Sequence, residues 1–366
     1  MTFHINMEIL TSRIQGYLKD DVVYLHSPRS FSNHVTYRLD SSGHGDLLLR
    51  VAWAAIWEDK NRQVKEVSDF KMRSEVATMH YVKQHTTIPV ADILVYDPDW
   101  DRKVGGECML MKYIDGISPA SLTDDQWEAL CTSVADIWSR LLRLRFKSIG
   151  SIYEQQDGSE SRYFIGPMTY IPDTGSIASP EATTSGPFSS TREWLVAAAM
   201  GKLNATRRLP SDFDYEQARK WQGTVIDVVQ NSPLLDSSNT LDHEQIVLGH
   251  VDYSLHNILV DREDPTRIVA VADWEGARTV PMWAANPVFR WPLFLPESKV
   301  AHLRQLMRDR ICGQIPGWEF TIGDGGNDLR YLEMQTSLSS EDPSWYDNGQ
   351  PVMHRMSWLT QRSMVY

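Results

Sequence analysis

The chain has 366 residues, 42% of them hydrophobic and thirteen of them Trp, with a formal net charge of −12. That length and apolar content suit two sizeable lobes with a large core and exclude a disordered chain. The acidity argues against nucleic acid or an anionic membrane surface as a partner and is compatible with a cationic small molecule, although acidity kept for solubility explains it equally well. No stretch of about eighteen apolar residues occurs, and no apolar run follows a basic N-terminal start, so a soluble cytoplasmic protein is expected. Cys108, Cys131 and Cys312 lie far apart without a C-x-x-C pair and read as reduced core residues.

In chain order, residues 1 to about 30 carry a mixed helical pattern. Thr36 to Leu39 and Leu47 to Ala54 read as strands around the small-residue turn Ser41-Ser42-Gly43-His44-Gly45. Ser68 to Gln84 places Met72, Val76, Met79 and Val82 on one helical face and carries Glu75 near its middle. Glu107 to Ile114 is a buried strand running into Asp115-Gly116. From Asp124 an apolar stripe of Trp127, Leu130, Val134, Ile137, Trp138, Leu141 and Leu142 marks a core helix, with Thr123 as its N-cap. Ser151 to Ser190 is rich in Gly, Ser, Pro and Thr without periodicity and reads as a long insertion or lid, its tip at Gly175 to Ser185. Helices are expected from Thr191, over Tyr215 to Val229, over Glu297 to Arg308 and over Asn327 to Thr336, and there is no internal repeat.

The most informative segment runs from His250 to Glu275. Ile258 to Asp261 and Ile268 to Ala272 read as two apolar strands joined by the turn Glu263-Asp264-Pro265-Thr266-Arg267. Asp252 and Asn257 then lie on the loop entering a hairpin, and Asp273 lies where it exits. Two carboxylates and an amide oxygen can converge there, a hard-oxygen set of the kind Mg²⁺ takes. Two other readings exist. Asp and Asn also cap turns for purely structural reasons. His250, Asp252 and His256 are also of the right type for a zinc or iron hydrolase, although a fourth His or Cys at motif spacing is missing.

The pattern H-x-D-x-x-x-x-N, then a strand, then D-x-E, resembles the catalytic loop and metal motif of protein-kinase-like phosphotransferases. D-W-E and the following Ala-Arg-Thr-Val-Pro-Met-Trp resemble the aminoglycoside phosphotransferase and choline kinase-like family, most closely its fungal group. The resemblance implies an α+β, two-lobed protein-kinase-like fold. Residues 1–116 would form the small nucleotide-binding lobe, a five-stranded antiparallel sheet with one long helix and the hinge. Residues 117–366 would form a mostly helical lobe with the catalytic loop and acceptor pocket. It implies ATP and Mg²⁺ as cofactors and a small-molecule hydroxyl as phosphoryl acceptor, the choice of ATP over GTP and the oligomeric state being left open.

By the same resemblance Asp252 would accept or orient the hydroxyl proton, Asn257 and Asp273 would hold Mg²⁺, and His250 would brace the loop. Backbone groups around Met111, Lys112 and Tyr113 would meet the adenine. Glu275 would either reach a second metal position or stabilise its loop, the second being preferred. Two features depart from the family. The loop Pro28 to His34 has no glycine, leaving Ser30, Ser32 and Asn33 as hydrogen-bond donors. The strand position expected to hold a phosphate-binding lysine is Arg50, which can grip phosphate or pair with Glu75, or is simply a surface strand residue; Lys60 is a weaker candidate. Acidic residues such as Asp324, Asp328 or Glu333 are candidates for recognising an amine on the acceptor. These departures motivate an alternative, a kinase-like protein whose cleft binds or converts a natural product without phosphotransfer.

Overall fold

The computed structural model describes residues 7–24, 29–30, 34–52, 62–98, 107–157, 160–169, 186–205, 215–236, 245–285 and 295–337. In chain order the elements are α1 (Met7–Leu18), β1 (Val22–Tyr24), β2 (Arg29–Ser30), β3 (His34–Ser41), β4 (Gly45–Ala52), α2 (Arg62–His85), β5 (Ile93–Asp97), β6 (Cys108–Lys112) and α3 (Asp124–Arg143). There follow β7 (Ser151–Asp157), β8 (Glu160–Gly166), α4 (Thr191–Ala205), α5 (Tyr215–Asn231), β9 (Ile246–Gly249), β10 (Ile258–Val260), β11 (Ile268–Val271), β12 (Arg278–Pro281), α6 (Glu297–Cys312), α7 (Trp318–Ile322) and α8 (Asp324–Ser337). They cluster into one unit of residues 1–133, 154–163 and 252–275, and a second of 134–153, 164–251 and 276–366.

The first unit is built on an antiparallel sheet of order β1-β3-β4-β6-β5, with the short β2 added to β3. The sheet therefore has six strands and not the expected five, because the two residues Arg29 and Ser30 pair with Thr36 and Val35. Strand alternation explains its two faces. Val35, Tyr37, Leu39, Leu47, Leu49 and Val51 point to one side and pack with Leu10 and Ile14 of α1. The intervening residues point to the other side, where Arg50 lies opposite Thr36 on one flank and Met109 on the other. Arg50 is 9% exposed, so the reading of it as a surface strand residue is wrong.

The turn between β3 and β4 is held from outside the hairpin. Asp20 accepts hydrogen bonds from the Ser41 and Ser42 hydroxyls and, at 2.6 Å, from the Gly43 amide. These bonds hold its carboxyl below the usual range, those from Ser41 and Ser42 most strongly. A carboxyl with a lowered folded-state pKa contributes stability above its unfolded range, and that contribution is lost as pH falls below about 4. Asp20→Asn is therefore expected to lower the melting midpoint at pH 7 and to flatten the acid side of the stability profile. Melting curves between pH 3 and 7 check this; coincident profiles would contradict it.

After β6 the chain hugs the β10–β11 hairpin. Ile117 exchanges hydrogen bonds with Val260 at 3.0 and 2.8 Å, and a Cβ at Gly116 would sit 2.9 Å from side-chain atoms of Leu259 and Val269. Thr123 caps α3 in a reciprocal box, its amide donating to Gln126 Oε1 at 2.9 Å and its hydroxyl accepting from the Gln126 amide at 3.3 Å. The apolar stripe of α3 is buried throughout, from Trp127 to Leu142.

The region read as an insertion without regular elements in fact opens with the hairpin β7–β8. The sequence Asp157-Gly158-Ser159 is the hairpin signal that the polar composition concealed. Within the first unit, Glu154 Oε2 of this hairpin lies 2.8 Å from His80 Nδ1, and Tyr163 meets the Tyr81 ring edge-on at 5.2 Å. Its proposed tip at 175–185 lies outside the described residues.

The second unit is mostly helical. It contains α4 to α8 and the small antiparallel pair β9–β12, a pair the sequence had not suggested, any more than α7. Trp194 stacks on Trp283 at 6.2 Å, both 1% exposed, and Arg310 grips Asp136 with two bonds at 2.8 and 3.0 Å. Cys108 and Cys131 are buried free thiols, whereas Cys312 is only partly buried. No helix among the described residues is long and apolar enough to cross a membrane.

Candidate active site

The strand β9 ends at Gly249, and His250 after it is buried. Asp252 then stands exposed on a turn closed by the Ser254 amide on the Asp252 carbonyl at 2.8 Å. A short 3₁₀ turn, Leu255–Asn257, leads into β10. Asn257 Nδ2 donates both to the Asp252 carbonyl at 2.8 Å and to its carboxylate at 3.0 Å. The Asn257 carbonyl accepts the Ala272 amide at 2.8 Å, one residue before Asp273. Asn257 thus ties the entry of the hairpin to its exit, its side-chain amide bonding Asp252 and its main-chain carbonyl accepting from Ala272, the residue before Asp273.

Asp273 has a φ of +57°, a left-handed conformation that a non-glycine residue holds only when its surroundings enforce it. Trp274 beside it is wholly buried and donates its indole N–H to the Val271 carbonyl at 3.0 Å. The Asp273 carboxylate stays 44% exposed. Asn257 commits its amide nitrogen to Asp252, which leaves its amide oxygen as the atom a metal ion would meet. Asn257 and Asp273 are hard oxygen donors that fit Mg²⁺.

Arg50 is the centre of a buried charge network. Its Nη1 donates to Glu75, and its Nη2 lies 2.8 Å from Glu275 Oε2, 2.9 Å from His34 Nε2 and 3.5 Å from Asp273 Oδ1. The other Glu275 oxygen pairs with Lys71. Burial disfavours the charged guanidinium, but Glu75, Glu275 and Asp273 outweigh it and keep Arg50 more basic than usual. Burial pushes the Glu75 carboxyl up, with Arg50 opposing. Burial, then Arg50 and Lys71, push His34 far down, so its ring is neutral.

Of the expected site residues, the structure pairs Arg50 with Glu75 and sets the Glu275 carboxylate between Arg50 and Lys71. Ser32, Asn33 and Lys60 lie outside the described residues. Met111 is buried, while the amides of Lys112 and Tyr113 donate to Asp92 and Asp46 carbonyls at 2.8 and 3.1 Å. In the second unit Glu333 pairs with Arg278 at 3.2 Å, Asp328 is buried and Asp324 begins α8. Among the described residues no three His, Cys, Asp or Glu side chains gather as metal ligands, which removes the zinc or iron reading of His250, Asp252 and His256.

Two members of the network were missed. Lys71 lies four residues before Glu75, so the two share a face of α2, and that spacing was a usable signal. His34 had been read only as the end of a loop; as the first residue of β3 it lies diagonal to Arg50 on the same face.

Residues 28–284, more than half of the chain, match the phosphotransferase enzyme family, APH. A subtelomeric hrmA-associated cluster protein of Aspergillus fumigatus is 23% identical over 269 residues, covering 59% of this chain and 52% of that one. Altered inheritance of mitochondria protein 9 of Saccharomyces cerevisiae is 23% identical over 239 residues, covering 60% of this chain and 35% of that one. The chain therefore spans about half the length, or less, of these fungal relatives. The crystal structure of aminoglycoside phosphotransferase APH(4)-Ia superposes with a TM-score of 0.52 at 15% identity, covering 97% of this chain and 98% of that one. A thermostable mutant of it, in ternary complex with AMP-PNP and hygromycin B, gives 0.51 at 15% identity, covering 96% and 98%. The fold is α+β and protein-kinase-like, and the chain belongs to the phosphotransferase enzyme family.

Proposed function

We propose that the protein transfers the γ-phosphoryl group of ATP to a hydroxyl of a small molecule in a Mg²⁺-dependent reaction. The observation that carries this reading is Asn257, hydrogen-bonded at once to Asp252 and, through Ala272, to the Asp273 end of the hairpin. Asp252, exposed on its turn, orients the acceptor hydroxyl and takes its proton. Asn257 and Asp273 hold Mg²⁺. When bound, the ion neutralises phosphate charge. Arg50, braced by Glu75, meets the phosphates, and backbone carbonyls around Met111, Lys112 and Tyr113, whose last two amides are bonded within the protein, meet the adenine. Residues 1–116 serve as the nucleotide lobe and 117–366 as the lobe that carries catalysis and acceptor. A family fold shared with an enzyme solved with AMP-PNP and hygromycin B supports a nucleotide and a small hydroxyl-bearing acceptor. The net charge of −12 suits a cationic one. Free buried thiols at Cys108 and Cys131 are compatible with a cytoplasmic location.

One observation favours a second reading, a cleft reused for binding or other chemistry. Both terminal nitrogens of Arg50 are engaged by Glu75, Glu275 and His34, so its grip on phosphate requires these partners to share it. Incubation with γ-labelled ATP and a panel of amino-alcohol and sugar acceptors separates the two. Mg²⁺-dependent transfer of label to an acceptor is expected; no transfer and no nucleotide binding would favour the reused cleft.

A further inference from the structure

Lys71 has no counterpart in the expected machinery, yet it touches that machinery at one decisive point. It projects from α2 one turn before Glu75, but its ammonium pairs with Glu275, the two side chains being 15% and 4% exposed. Arg50 already serves Glu75 through Nη1, and through Nη2 serves the opposite Glu275 oxygen. Without Lys71, Glu75, Glu275 and Asp273 would crowd a single guanidinium, and one buried oxygen of Glu275 would lose its cation.

Glu275 matters because of where it sits on the chain. Two residues before it, Asp273 holds a left-handed backbone while offering a carboxylate to solvent. Between them Trp274 is buried and bonded to Val271. The segment is thus fastened on one side by an indole in the core and on the other by a carboxylate between two cations. We propose that Lys71 is a positioning residue of this site, holding Glu275 so that the Asp273 carboxylate is presented in a single conformation. This rests on reading Asp273 as the metal-side carboxylate.

The test uses the full chain without nucleotide, following amide hydrogen exchange of the segment 271–277 in wild type, Lys71→Met, Lys71→Arg, Glu275→Gln and the Lys71→Met/Glu275→Gln pair. Lys71→Met is expected to speed exchange of this segment by about tenfold while leaving α6 unchanged, with Lys71→Arg close to wild type. On the Glu275→Gln background, where no charge needs neutralising, Lys71→Met adds nothing, a comparison that holds even if the single variant folds poorly. Wild-type exchange in Lys71→Met, or fully additive effects in the pair, would overturn the proposal. A separate measurement of Mg²⁺-dependent ATP binding by the wild type bears on the phosphotransfer reading alone, so the two claims fail independently.

Discussion

Replacing Asp252 by alanine is expected to lower the turnover number by about 10²–10⁴-fold, the usual contribution of a positioned general base. Nucleotide affinity should stay close to that of the wild type. The local geometry explains the split. Asn257 Nδ2 bonds the Asp252 main-chain carbonyl at 2.8 Å as well as its carboxylate at 3.0 Å, so the amide remains oriented when the side chain is truncated. The turn also keeps its backbone bond from Ser254. Asp252→Asn provides the matched control, keeping shape but removing the proton acceptor, and should be as inactive. Single-turnover rates and nucleotide titrations on the same samples check both halves. Undiminished turnover in either variant would remove Asp252 from the chemistry.

The largest effect on stability is expected at Arg50. Its guanidinium lies between Glu75 and Glu275, whose side chains are 3% and 4% exposed. Removing one partner of a buried pair leaves an uncompensated charge and costs about 3–5 kcal/mol. Lys71 still serves Glu275 in Arg50→Ala, so Glu75 becomes the orphan, and Glu75→Gln on that background should restore part of the loss. Arg50→Lys should fall between, because an ammonium cannot span both carboxylates as a planar fork does. Urea unfolding measures all four proteins. A loss below about 1 kcal/mol in Arg50→Ala would show that the network adds little beyond an exposed pair.

How much of this could be read beforehand varied with the range of the interactions. The hairpin of β10 and β11 was placed within a residue at each end, because two β-branched runs flank a turn that carries Asp264-Pro265. The stripe and cap of α3 were equally plain, being set by contacts within a few turns of one helix. The strands β9 and β12, four residues each, are too short to show alternation and exist because they pair with each other. The loop bearing Asp252 and Asn257 and the hairpin exit bearing Asp273 were legible because the two strand runs and the turn between them set both. The Arg50 network was legible only as far as Glu75. Residues 34, 50, 71 and 275 are joined by the register of β3 on β4 and by the packing of α2, neither of which a linear pattern encodes.

The central claim is that Asn257 and Asp273 complete a metal–nucleotide site. Thermal melting of the wild type and Asp273→Ala, with ATP or GTP and without nucleotide, each with and without Mg²⁺, tests it most directly. A ligand that binds only the folded protein adds about 2.7 kcal/mol at a hundredfold excess over its dissociation constant. The expected result is a Mg²⁺-dependent rise in the wild-type midpoint that vanishes in Asp273→Ala. The same rise in both proteins, or none in the wild type, would contradict the assignment.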